Sequence, residues 1–370
     1  MDVSKKYDLT IIMVILSGIL LGVGGVVLEK FGNPFRTGIC VSCFIENIAG
    51  SLGLHANNRM QYIRPEIIGF ILGAFLISLG RGEFNVHGSV HGSVRGGRIL
   101  IIRFILGILM MIGTGIYIGC PIKLFYRISG GEIMSLVGLL GLIVGVWVGG
   151  KYIRSGFSLE NENVCMSFPR KRESRQGLFV PILSLVLLLF IFIRPPFIFE
   201  SSSGPGAAFS PVYLSLFIGL IIGGISYYSR YCILGSINNF ILGREMTLLY
   251  GSFAFLIGAF LSYVFLKDFQ FGTIAYPGSS PSYLWDFLGM GLVGFSGTLA
   301  NGCPFRQLIL AGSGDSGAGI TVLGLLAGGA MLQNFNLNST ADGVTFNGQI
   351  AVLLGFVLCI VIGLANRDLS

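Results

Sequence analysis

A chain of 370 residues with 53% hydrophobic and only 11% charged residues, at a mean hydropathy of +0.81, excludes a soluble globular domain. It points to an all-α polytopic membrane protein. A net charge of +7 would suggest nucleic acid as a partner of a soluble protein, but here it reflects cytoplasmic loops, and nucleic-acid binding is set aside.

Crossing ~30 Å of hydrocarbon takes roughly 20 apolar residues in a helix. Ten candidate spans follow in order, near 9–29, 63–80, 99–119, 133–150, 178–194, 211–229, 247–266, 284–301, 317–335 and 348–365. Lys5 and Lys6 precede the first, and no small-residue cleavage site follows it, so a retained helix is expected rather than a cleaved signal. Glycines spaced four apart, at Gly18/Gly22, Gly69/Gly73, Gly141/Gly145/Gly149, Gly219/Gly223 and Gly324/Gly328, let helix backbones approach closely in lipid. They are read as packing, without chemistry.

Lys and Arg collect in the stretches 1–8, 81–98, 151–177 and 366–370, whereas 195–210, 268–283 and 336–347 hold none. The positive-inside rule makes the first group cytoplasmic. Ten spans with both termini inside, in the cytoplasmic (inner) membrane, satisfy every loop. The low-complexity tandem repeat at 86–94 carries His87 and His91, whose spacing in a Gly/Ser loop is a weak ligand pattern. The basic run at 167–175 reads as a solvated tether, with a lipid headgroup or partner site as its alternative.

The two halves repeat one another. Gly119-Cys120-Pro121-Ile122-Lys123 aligns with Gly302-Cys303-Pro304-Phe305-Arg306, and Gly73-Ala74-Phe75-Leu76 with Gly258-Ala259-Phe260-Leu261. Cys40 with Glu46-Asn47 aligns with Cys232 with Asn238-Asn239, allowing a few extra residues around Leu52 to Asn58. The single extra span between the halves inverts the second, a recurring design of transporters with a midplane site. The expected organisation is a first membrane repeat over 1–150, a basic cytoplasmic linker over 151–177 and a linking helix over 178–194. An inverted repeat over 195–335 and a C-terminal helix and tail over 336–370 complete it.

The segments at 36–54, 120–130, 230–243 and 303–314 are too short or too polar to span. Such backbone survives at membrane depth only where it is buried in protein or lines a cavity. Re-entrant half-helices there place free backbone groups at a site that suits an anion. Cys40, Cys43, Cys120, Cys232 and Cys303 would meet that anion as weak S–H donors or exchanging nucleophiles. Cys40 and Cys120 are expected from the outer side, Cys232 and Cys303 from the inner. Cys359 and Cys165 read as a buried small hydrophobe and an incidental cytoplasmic thiol. Lys123, Arg127 and Arg306 are placed to guide an anion, with pairing to Glu46 or Glu132 as the competing role; Asn238 and Asn239 support the site. A metal held by the four thiols is set aside, because no His and no second Cys-x-x-Cys accompanies them. No cofactor is called for.

At these motifs the chain resembles the YeeE/YedE, or sulphur-transport domain, family, with Tyr62-Ile63-Arg64-Pro65-Glu66-Ile67-Ile68-Gly69 and Asn301 to Gln307 adding to the likeness. Within that family it is most similar to YedE-like selenium-metabolism membrane proteins. The resemblance implies an hourglass-shaped carrier in which Cys40 or Cys43, Cys120 and Cys303 pass the ion along, with Cys232 as their repeat-related partner.

The reading that follows is a transporter, not an enzyme. It imports a small sulphur- or selenium-containing anion and delivers it to a cytoplasmic sulphur or selenium acceptor protein. No Gly-x-x-x-x-Gly-Lys-Ser/Thr motif is present, so the chain does not itself hydrolyse ATP. Glu66 and Asp286 are the only plausible proton-coupling groups, and helix capping at the interface is the simpler role. The rivals are a membrane thiol oxidoreductase or sulphurtransferase using Cys40 and Cys43, and a membrane anchor of a selenium-metabolism complex.

Overall fold

The structure, a computed structural model, describes residues 3–84, 94–159, 176–272, 282–340 and 343–366. The histidine repeat at 86–93, Cys165 and the basic run at 167–175 lie outside them. In chain order the helices are α1 (Val3–Lys30), α2 (Val41–Ser51), α3 (Pro65–Gly80), α4 (Val94–Tyr117), α5 (Pro121–Ser129), α6 (Ser135–Arg154) and α7 (Phe179–Ile193). They continue as α8 (Val212–Ser229), α9 (Ile233–Gly243), α10 (Thr247–Phe265), α11 (Tyr283–Leu299), α12 (Pro304–Gly312), α13 (Ser316–Asn334) and α14 (Phe346–Ala365). A two-stranded antiparallel ribbon, β1 (Ser339–Thr340) and β2 (Gly343–Val344), lies before α14. The chain is an all-α polytopic membrane protein.

Each of the ten expected spans falls on a helix. Among the described residues, eight helical stretches are long and apolar enough to cross a membrane. The other two expected spans, α3 and α11, are shorter for a physical reason. Most of their residues are buried against protein, so they need not present an apolar surface to lipid. Pro65 at the first position of α3 fixes where that helix begins, since a proline there gives up no intrahelical bond.

The packing is reciprocal. α1 lies on α10 as α8 lies on α3, and α4 on α13 as α11 on α6; α1 meets α8, and α4 meets α11. The glycines make these approaches close. A β-carbon built on Gly18 would stand 2.0 Å from the Gly251 carbonyl oxygen, one on Gly145 2.0 Å from that of Gly291, and one on Gly73 2.2 Å from that of Leu220. This is the small-residue packing that holds helices together where lipid supplies no hydrophobic drive.

The backbone also repeats at corresponding turns. Gly38 and Arg230 are left-handed at φ 50° and 56°, Ile118 and Asn301 at 57° and 65°, and Gly131 and Gly314 at 97° and 94°. Each pair comprises equivalent positions of the aligned halves. Left-handed turns cost non-glycine residues energy, so their recurrence at Ile118 and Asn301 marks a turn the fold requires.

One end of the bundle is closed by the segment 195–210 lying across the loop after α2. Phe199 N–H donates to the Ser51 carbonyl (3.0 Å), Ser201 N–H to that of Gln61 (2.8 Å) and Gly206 N–H to that of Arg59 (2.8 Å). Arg64, fully buried, ties this cap down by donating to the carbonyls of Ala208 (3.0 Å) and Pro205 (2.6 Å). Its guanidinium also stacks over Phe44, 4.4 Å from the ring centre, and with the Asn47 amide turned to offer its oxygen it donates there at 2.9 and 2.8 Å.

Candidate functional site: four cysteine-capped half-helices

Four short helices, α2, α5, α9 and α12, begin inside the bundle. The residue capping the N-terminus of each is a cysteine: Cys40, Cys120, Cys232 and Cys303. All four have non-helical backbone, and Pro121 and Pro304 follow two of them at the first helical position. A helix N-terminus leaves backbone N–H groups free. Here they turn to sulphur: Gly235 N–H donates to Cys232 Sγ (3.4 Å), and the Cys120 sulphur takes N–H groups of Lys123 and Ser42.

The thiols form two adjoining groups. The Cys40 thiol donates to Cys43 Sγ at 2.8 Å, contacts Ser42 Oγ at 3.5 Å and is in hydrogen-bond reach of Cys120. The Cys232 thiol donates to Cys303 Sγ at 3.6 Å. Cys120 lies within electrostatic range of Cys303, so the two groups adjoin. Cys40, Cys120, Cys232 and Cys303 are buried, Cys43 is half-buried, and every described cysteine is a free thiol. Cys359, buried on α14, stands apart from these contacts.

The charged residues divide. Arg127 is committed to Glu132, with Nε on Oε2 at 2.8 Å and Nη2 on Oε1 at 2.5 Å, and it also donates to the Tyr117 carbonyl at 3.3 Å. Its pairing role is therefore the one realised. Lys123, buried one turn after Cys120, faces Cys40, Cys43 and Glu46 at electrostatic range. Glu46 is held by the Gln333 amide. Arg306 lies at the equivalent position after Cys303, within range of Cys232. Asn238 and Asn239 flank Arg306 in one cavity with Cys232, and Asn239 also donates to Glu245 Oε2 at 3.3 Å.

Glu66 and Asp286 are buried in the first turns of α3 and α11. Glu66 Oε1 accepts from Asn33 (3.0 Å) and Ser215 (3.0 Å), side chains of other segments, so it joins elements within the bundle instead of capping a helix at the interface.

Sequence reasoning gave no role to Arg64, Gln333 or Arg230. Arg230 stands two residues before Cys232 and was visible in that motif. Gln333 is recognisable only once α13 is seen packed on α2.

These features define a multi-pass membrane protein whose broken helices present thiols and backbone N–H groups to a shared interior. Residues 228–365, which include α9 and α12, match the sulphur transport family. No curated protein matches the chain.

Proposed function

We propose that the protein carries a small sulphur-containing anion, thiosulphate-like or a selenium analogue, across the cytoplasmic membrane, inward, along its cysteine-capped half-helices. The observation that carries the reading is the grouping of Cys43, Cys40 and Cys120 beside Cys303 and Cys232, with a buried Lys123 or a half-buried Arg306 one turn away from each group. Free N–H groups and helix dipoles favour the charge of an anion. The thiols supply soft, weak S–H donors that suit its sulphur and hold it loosely enough to hand on. The match of residues 228–365 to the sulphur transport family supports this class of cargo.

The reciprocal packing and recurring turns support two inverted repeats, over 1–150 and 195–335, joined by the linker at 151–177 and the helix at 178–194, with 336–370 as C-terminal helix and tail. The absence of Lys and Arg from 195–210 supports placing that cap outside and both termini in the cytoplasm, where a sulphur or selenium acceptor protein would receive the cargo. On this reading the chain is a carrier and not an enzyme.

One observation favours a rival. Cys40 and Cys43, a helix cap and the thiol one turn on, touch at 2.8 Å, which is the arrangement of a reactive dithiol. The test is uptake of labelled thiosulphate and of labelled selenite by cells without their own importers. Wild type is compared with Cys120→Ser, Cys303→Ser and Cys43→Ser, with membrane abundance measured alongside. Uptake of one ligand, abolished by Cys120→Ser and Cys303→Ser but retained by Cys43→Ser, is expected. No uptake of either by well-folded protein overturns the transport reading in favour of a redox or anchoring subunit.

A further inference from the structure

Equivalent positions of the two halves hold different charges. After Cys120 comes Lys123, and in the same half Glu46 lies within its electrostatic range. After Cys303 comes Arg306, but the position equivalent to Glu46 is Asn238. The acid has become an amide, and the cation is left without its counter-charge.

What surrounds Arg306 is a cavity of about 180 Å³, bordered by Arg230, Cys232, Asn238, Asn239, Asn301 and Arg306. Arg230 and Asn301 are exposed and form its mouth, while Cys232 is buried at its depth. Arg230 and Arg306 lie within electrostatic range of one another, an arrangement that repels itself unless something negative sits between. Arg306 Nη1 and Asn238 Oδ1 are buried without a hydrogen-bond partner among the described residues. A buried donor left unmade costs free energy, and an anion with attendant water would satisfy both groups. Among the described residues no carboxylate borders the cavity. Two acids lie around it and both are engaged: Glu245 accepts from Asn239, and Glu83, within electrostatic range of Arg230, accepts from Arg81 and Tyr227.

We infer that this cavity is an anion-binding vestibule. It holds one small oxyanion between the Arg306 and Arg230 guanidinium groups, with the Cys232–Cys303 thiol pair immediately behind it. Guanidinium suits the task because its planar fork bonds an oxyanion's oxygens in pairs. The vestibule rests on the transport reading only for the order of contacts, oxygens of the anion on the arginines and sulphur on Cys232. Its location gives the two ends of the thiol path unequal affinity for anions. On inward transport the Lys123 end, balanced by Glu46, passes the ion on, and the Arg306 end receives it on the cytoplasmic side.

The experiment is calorimetric titration of the full chain in lipid nanodiscs, at low ionic strength, with sodium thiosulphate and with sodium sulphate. Wild type is compared with Arg306→Gln, Arg306→Lys, Arg230→Gln and Asn238→Glu. Removing a facing charge, or restoring the acid at position 238, is expected to weaken binding by about tenfold or more, and Arg306→Lys to lose less. Sulphate should bind as well, since the arginines recognise the oxygens. If Arg306→Gln does not fold, Arg230→Gln on the exposed rim and Asn238→Glu carry the same test. Binding indifferent to both of those would overturn the vestibule even if uptake occurs. Arginine-dependent binding without any uptake would support the vestibule and remove the transport reading.

Discussion

The two cysteine groups are built on one plan and finished differently. Each has two half-helices capped by cysteines and a cation one turn after a Cys-Pro pair. At the first end the cation shares its surroundings with Glu46, and the neighbouring Arg127 is closed into an ion pair with Glu132. At the second end Asn238 stands in place of Glu46 and Leu310 in place of Arg127, and a cavity opens. On the carrier reading, the features both ends share are those a soft anion needs to pass. Those that differ are charges, and charge is what sets where an anion rests. On the proposed reading, duplication supplied the route, and divergence at a few positions supplied its asymmetry.

The comparison breaks most sharply at Arg127. Its guanidinium and Glu132 are both buried, and removing one partner leaves an uncompensated charge, which typically costs ~3–5 kcal/mol. Arg127→Met should lower the thermal unfolding midpoint of the detergent-solubilised protein severely, and Arg127→Met with Glu132→Gln should recover part of the loss. At the equivalent position of the second half, Leu310→Met is close to volume-conserving and should cost less than about 1.5 kcal/mol. Equal effects at the two positions would mean that the ion pair is not what distinguishes the first end.

A second test separates the two packing layers. A methyl group added at Gly73 would meet backbone, the Leu220 oxygen at 2.2 Å and the Gly224 nitrogen at 2.8 Å. Gly73→Ala must push α3 off α8, at roughly 1–3 kcal/mol. At the equivalent Gly258 the nearest atom is a methyl of Val23 at 3.4 Å. Gly258→Ala should be neutral or slightly stabilising, as alanine is the better helix former. Unfolding midpoints of the two variants in the same detergent would decide it.

These pairs also show what could be read from the chain and what could not. Runs of apolar residues set the ten helices, because a membrane permits few alternatives to a helix of sufficient length. The cysteines at the starts of the half-helices were legible because each lies beside a Gly or Gly-Pro break and recurs across the halves. The choice between anion guide and ion-pair partner was open for Arg127 and Arg306, since it turns on which acid the fold brings near. Glu132 is close in sequence, whereas the acid that balances Lys123 comes from another half-helix. That Gly73 is crowded and Gly258 is not depends on a fraction of an ångström in helix separation, which no pattern of residues encodes.

The smallest expected effect belongs to the residues around Leu52 to Asn58, which the second half lacks. His55 is buried there. Its Nε2–H donates to the Glu46 carbonyl at 3.1 Å, while its Nδ1 accepts from the Asn57 N–H at 3.3 Å. The second bond requires the neutral ring, since protonation would turn the accepting nitrogen into a donor facing another donor. Burial accordingly holds this histidine below the usual range. Because the unfolded chain takes up the proton first, stability should fall as pH drops below the ordinary histidine value. The unfolding midpoint of wild type should therefore decline between about pH 7 and pH 5 by more than that of His55→Gln, although the variant starts lower at neutral pH. The position adjoins Glu46 and so belongs to the Lys123 end alone, which means anion binding at the Arg306 cavity should not follow the same titration. A vestibule affinity that tracked His55 would show that the two ends are coupled, and the division drawn between them would have to be given up.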